Sequence, residues 1–188
     1  SHILLPVQGV RSALVRVLGE KVYLVIYSGL SIGLLAWIVE AYNSAPVVEF
    51  FEPSTAMRHG SLTLMLISVY LLVGGVLTRN PSLVPAESLG WRPEARGVFK
   101  ITRHPVMWGI ALWGVSHFLA NGHSAAIILF GGMTVLALAG AVHIDHRKRQ
   151  TVGEDWLHFE AETSFVPLVA IAMGKVRIDR REIPWWHT

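Results

Sequence analysis

RHPVMWGIALWGVSHFLANGHSAAIILFGGMTVLALAGAVHID, residues 103–145, holds 41 residues between Arg103 and Asp145 without one Lys, Arg, Asp or Glu. Only Asn121-Gly122 interrupts it with a turn signature. A bilayer core of roughly 30 Å takes about 20 helical residues, so the stretch predicts a helical hairpin, 103–120 and 123–145. Outward from it, 18 uncharged residues separate Lys21 from Glu40 and 20 separate Arg58 from Arg79, which predicts further spans near 21–42 and 58–78. Composition agrees. Of 188 residues, 52% are apolar and 15% charged, with mean hydropathy +0.47, whereas a soluble domain carries about a quarter charged residues. One such run can be a buried core helix, but four together exclude an ordinary soluble fold. The expected fold is all-α: a polytopic transmembrane helix bundle in a single domain, 1–188, with four spans clear.

The cations sort themselves by side. Assigning the loops alternately puts fifteen of the sixteen Lys and Arg residues on one face of the membrane, and only Arg58 on the other. Basic loops stay cytoplasmic, so loops 79–103 and 145–182 are expected in the cytoplasm of a bacterial inner membrane. One missed span would have scrambled this segregation. The +3 net charge therefore reflects topology. No polybasic block with interleaved aromatics suggests nucleic acid, and the absence of Cys excludes disulfides and thiolate ligands. His2 to Pro6 reads as the last turns of a helix, and Ile183-Pro184-Trp185-Trp186 as the start of another with Trp at headgroup level. About five to six spans are expected in the intact protein. Residues 8–19 predict an amphipathic interfacial helix, 79–100 an irregular Pro/Gly-rich loop, 146–162 a charged helix, and 163–174 an apolar piece too short to span.

Nine histidines are many for so apolar a chain, and ionisable groups at membrane depth tend to be functional. His117 lies thirteen residues beyond His104, or ~20 Å along a helix axis, inside the apolar layer. Its helix face carries Trp113 and Gly114, and a glycine one turn away leaves room for a flat ligand. His117 is either a neutral imidazole bonded to a neighbouring helix or a ligand of haem or another metal. His2, ~13 Å into the membrane if Arg11 marks the interface, can serve as a second axial imidazole. His104 points about 220° away from His117 at 100° per residue, so the two do not share one face. Across the hairpin, His143, Asp145 and His146 are expected to gather with Arg103 and His104. The result would be a cation-rich pocket for propionates, phosphate or a carboxylate, or simply solvated charge. His59 and His123 sit at helix ends and read as interfacial.

The order Arg103-His104-Pro105, then Leu112-Trp113-x-x-x-His117, then Asn121-Gly122 resembles the NnrU family. The resemblance continues through Ala139-Gly140-Ala141, Asp145, Arg147, Gly153-Glu154 and Thr163 to Pro167, and at the start through His2, Arg11 and Leu18 to Lys21. It covers nearly the whole chain. That family includes 15-cis-ζ-carotene isomerases, so the resemblance implies a polytopic membrane protein and a haem-b-dependent isomerase acting on a cis double bond of a long polyene. It implies axial iron ligands, and hence catalytic and metal-binding roles, at positions matching His2 and His117. Trp113, Gly114, Arg103 and His104 become cofactor-binding candidates, with an apolar carotenoid as substrate and the lipid bilayer as surroundings. In the isomerases a Cys can take over as ligand; that position is Gly114 here. Elsewhere the family name is linked to nitrite and nitric oxide metabolism. More distantly, Arg103-His104-Pro105 with Gly153-Glu154-Asp155-Trp156 and Pro167 resembles the isoprenylcysteine carboxyl methyltransferase superfamily. The basic run Asp145-His146-Arg147-Lys148-Arg149 replaces the acidic cluster expected there. Two further readings therefore stand beside the isomerase. One is an S-adenosylmethionine-dependent membrane methyltransferase. The other is a non-enzymatic accessory subunit of a larger denitrifying, respiratory or photosynthetic complex.

Overall fold

The computed structural model describes residues 8–84, 90 and 92–176. The expectations for His2 and the terminal pieces 2–6 and 183–186 lie outside the described residues. The described chain is all-helical, with seven α-helices and no strand. It divides after Val47 into two compact units.

The first unit holds α1 (Gln8–Leu18) and α2 (Glu20–Ser44), separated by Gly19. The break falls where the interfacial helix was expected to hand over to the first span. α2 is apolar on every side, and Val25, Ile32 and Trp37 are each more than two-thirds exposed. Such a helix suits lipid rather than water.

The second unit is built on α3 (Thr55–Leu77), α4 (Pro105–Ala120) and α5 (Ser124–Thr151). Three helices, α2, α3 and α5, are long and apolar enough to cross a membrane. α4 is equally apolar but has sixteen residues, or ~24 Å. Each start has a local cause. Ser54 Oγ accepts from Met57 N at 3.2 Å to cap α3. Pro105 opens α4, where its missing N–H costs nothing. His123 Nδ1 accepts from Ala126 N at 3.4 Å to cap α5. The 121–123 turn is pinned from outside, because Gly122 O accepts from Phe50 N at 2.9 Å and Val48 O accepts from Ser124 N at 2.9 Å.

Helices in lipid gain little from apolar burial against one another, so close packing and buried hydrogen bonds carry the association. α3 and α4 use both. Ser61 Oγ donates to Ser116 O at 2.8 Å and Ser116 Oγ returns a bond to Ser61 O at 3.0 Å. Ser68 Oγ donates to Gly109 O at 2.7 Å. A Cβ on Gly109 would stand 2.6 Å from Leu72 Cγ, so only glycine permits this approach. Outside the bundle, α6 (Glu154–Glu162) and the short α7 (Val169–Ala172) fold against the Arg103 end of α4.

The expected charged helix 146–162 is two pieces. α5 continues to Thr151, and the chain reverses at Gly153, whose φ of 70° is costly for any residue with a Cβ. The 163–174 segment forms a strap. Arg103 N donates to Ser164 O at 3.0 Å and Leu168 N to Ile101 O at 2.8 Å, while Trp108 Nε1 and Thr102 Oγ1 both donate to Phe165 O.

Candidate functional site

Two places on α4 carry chemistry, one at each end. At its start, Arg103 and the N-cap residue His104 both reach Asp145 on α5. Arg103 Nε donates to Asp145 Oδ1 and Oδ2 at 3.1 and 3.0 Å, and Nη2 to Oδ2 at 2.8 Å. His104 Nε2 donates to Asp145 Oδ1 at 2.8 Å, and its Nδ1 pairs with Ser82 Oγ at 3.2 Å. Glu160 of α6 stands 3.7 Å from Arg103 Nη2 and accepts from Arg149 Nε at 2.9 Å. Arg103, His104 and Asp145 are all buried. Phe165 closes one side, 5.6 Å from the His104 ring between centroids and 5.8 Å from the Arg103 guanidinium. Lys148 is only 1% exposed. Its ammonium donates to Val84 O and lies 5.9 Å from the Trp156 ring.

This centre corrects part of the expected pocket. Asp145 joins Arg103 and His104, but His143 and His146 are exposed, and His146 Nε2 pairs with Gln150 Nε2 at 3.1 Å. At 100° per residue only positions such as 145 and 148 share the inward face. Ser82 and Glu160 were not read from the sequence, and Trp156 and Phe165 entered only as part of the resemblances, because each arrives from a segment whose fold-back has no local signature. The Trp156/Glu160 spacing of four on one short helix is the nearest thing to a signal.

The other end of α4 carries His117. Its imidazole stacks on Phe130 of α5, with centroids 4.6 Å apart and planes 16° from parallel. Trp113, one turn earlier, meets the same ring edge-on at 4.7 Å and also contacts Phe130 at 5.3 Å. The ring is half-buried. Among the described residues neither ring nitrogen has a hydrogen-bond partner. Asn121 Nδ2 donates to the His117 carbonyl at 2.8 Å, fixing the last turn of α4.

Gly114 does not leave open space beside this ring. A Cβ there would lie 2.4 Å from Thr134 Oγ1 and 2.7 Å from Phe130 O, so the missing side chain is filled by α5. Its consequence is indirect, since the close approach brings Phe130 against the imidazole. The His104-to-His117 interval of thirteen residues separates the two ends by ~20 Å. The structure therefore brings Trp113, Gly114 and His117 together, and Arg103 and His104 together, but not the two sets. His59 and His158 are exposed. Among the described residues no three His, Asp or Glu side chains group as a metal cage.

Among the described residues, fold and site define an all-helical protein with helices of membrane-spanning length, a buried ion-pair centre and an aromatic-flanked imidazole. The chain belongs to the NnrU family: the family model, described as "NnrU protein", matches residues 1–178. It is similar to the "15-cis-zeta-carotene isomerase, chloroplastic" of Zea mays, 25% identical over 181 residues, covering 88% of this chain and 46% of that one. It is also similar to the protein of the same description from Arabidopsis thaliana, 35% identical over 79 residues, covering 42% and 22%. The chain thus spans less than half the length of the curated relatives it matches. No solved structure matches it.

Proposed function

We propose that the chain forms the membrane core of a haem-b-dependent isomerase acting on a cis double bond of a long, carotenoid-like polyene, in carotenoid biosynthesis; the relatives named 15-cis-zeta-carotene isomerase support the isomerase part of this reading. The observation that carries the reading is the His117 imidazole: half-buried on an apolar helix, held between Phe130 and Trp113, with nitrogens free of partners among the described residues. An imidazole so placed has the donor chemistry of an axial ligand. His2, outside the described residues, is proposed as the second. Haem, when bound, supplies a Lewis-acidic iron that draws electron density from the polyene and lowers the order of the cis bond.

In this reading His117 presents one nitrogen, and Phe130 fixes the plane of its ring. Trp113 covers the ring edge, and Gly114 admits α5 close enough to set Phe130. The exposed apolar faces of α3 and α5, with Leu66, Ile128 and Val135 largely uncovered, suit a substrate arriving from the lipid phase. Arg103 and His104 act as the rigid foot of α4. Their bonds to Asp145, and their distance from His117, make a propionate role secondary. These 188 residues contain no Cys, so they supply no thiolate to the site.

The test is an absorption spectrum of detergent-purified protein expressed with haem supply, oxidised and dithionite-reduced. A Soret band that is lost in His117→Ala and in His2→Ala, together with conversion of a 15-cis polyene to its trans isomer by the reduced protein, is expected. A colourless preparation, or a band indifferent to His117→Ala, overturns it. Calorimetry with S-adenosylmethionine is expected to give no binding heat.

A further inference from the structure

The centre at the Arg103 end satisfies almost every buried polar atom, which makes two exceptions informative. Among the described residues, the Trp156 indole N–H and Glu160 Oε1 are buried without a hydrogen-bond partner. Trp156 is fully buried, 0% exposed, so bulk solvent does not serve it. Both belong to α6 and stand four residues apart, which puts them on one face, one turn apart. Their needs are complementary: an indole N–H only donates, and an ionised carboxylate only accepts. Buried polar atoms left unpaired in native proteins call for a partner.

The surroundings restrict what that partner can be. A cation is disfavoured by Arg103 Nη2, 3.7 Å from Glu160 Oε1, by the Lys148 ammonium 5.9 Å from the Trp156 ring, and by the indole, which offers no lone pair. An anion is disfavoured by the Glu160 and Asp145 carboxylates. The remaining chemistry is neutral, accepting one hydrogen bond and donating another, and the burial of both atoms favours a small molecule. The 3.7 Å separation of Arg103 and Glu160 is itself longer than a direct hydrogen bond, the circumstance in which a bridging water is looked for.

We infer that a single resident water molecule accepts from the Trp156 indole N–H and donates to Glu160 Oε1, completing the Arg103–His104–Asp145–Glu160 network. Buried waters of this kind are structural members of a fold and make two to four bonds to otherwise unpaired groups. The inference stands independently of the isomerase reading, because it concerns the other end of α4.

The experiment is nuclear magnetic resonance on the detergent-solubilised full chain with ¹⁵N-labelled tryptophan. The chain has seven Trp residues, and the indole signal missing from Trp156→Phe assigns position 156. A cross-relaxation peak between the Trp156 indole proton and the water resonance, with the sign of a long-lived bound molecule and slow exchange of that proton, is expected. In Glu160→Leu that peak should vanish while the other indole signals stay in place. An indole proton that relaxes only to protein protons overturns the inference, as does one that exchanges with bulk solvent at the rate of an exposed tryptophan. Persistence of the water peak in Glu160→Leu overturns the bridge. The wild-type spectrum decides the matter even if Glu160→Leu fails to fold.

Discussion

The two ends of α4 differ in what they do with an imidazole. At the start, His104 has both ring nitrogens engaged, one by Asp145 and one by Ser82, and is 1% exposed. Near the finish, His117 is held by ring contacts alone, and its nitrogens are unclaimed among the described residues. An imidazole whose nitrogens are tied into a buried network is a structural element. One fixed through its faces and edge, with its lone pair free, can accept a ligand without breaking the fold. Sequence position already separates the two residues by depth and by face; hydrogen bonding shows what each is tied to.

That contrast breaks most sharply at Asp145. Removing its carboxylate leaves Arg103 and His104 buried without their shared acceptor. Breaking a buried ion pair from one side costs about 3–5 kcal/mol. Asp145→Ala is therefore expected to lower the thermal midpoint in detergent by many degrees, or to prevent accumulation of folded protein. A midpoint close to that of the native chain would show that the network is not what anchors α4. A smaller effect is expected at Gly114→Ala, where the new methyl would meet Thr134 Oγ1 and the Phe130 carbonyl. Overpacking of this kind costs about 1–3 kcal/mol. Because α5 must retreat, the Phe130–His117 stack should loosen as well. A Gly114→Ala protein as stable as the native one would restore the idea that position 114 faces open space.

Much of the architecture was legible in the sequence because lipid imposes a simple rule: uncharged runs of about twenty residues become helices. The hairpin, its Asn121-Gly122 turn and the meeting of Arg103 with Asp145 all follow from run lengths and the antiparallel register. The rest depended on tertiary choices. Nothing local says that the chain reverses at Gly153 and brings Trp156 to His104 and Glu160 to Arg103. Nor does a basic run announce that Lys148 lies buried while Arg147 and Arg149, on either side of it, are exposed. Glycine at 114 signals that space is needed, but the sequence does not say whether a ligand or a helix takes it.

The contrast sharpens further in small effects. The reciprocal Ser61–Ser116 bonds join α3 to α4 one residue from His117. The two hydroxyl oxygens also stand 3.1 Å apart; interhelical side-chain bonds in membrane proteins average about 0.6 kcal/mol, so a double-mutant cycle of Ser61→Ala and Ser116→Ala should return a coupling of that order. A coupling of zero would show that each hydroxyl bonds the opposite backbone carbonyl independently of the other.

His117→Phe should do least to stability. The ring volume and the contacts with Phe130 and Trp113 persist, no hydrogen bond among the described residues is lost, and the change should stay within about 0.5 kcal/mol. Any binding that depends on an imidazole nitrogen should nonetheless disappear from the spectrum, since phenylalanine offers no lone pair. The equivalent change at the other end, His104→Phe, abandons bonds to Asp145 and Ser82 in a buried site and should be markedly destabilising. If His117→Phe proved as damaging as His104→Phe, the free nitrogens of His117 would have to be bonded in the folded protein, and the distinction between a structural and a ligand-ready imidazole on α4 would collapse.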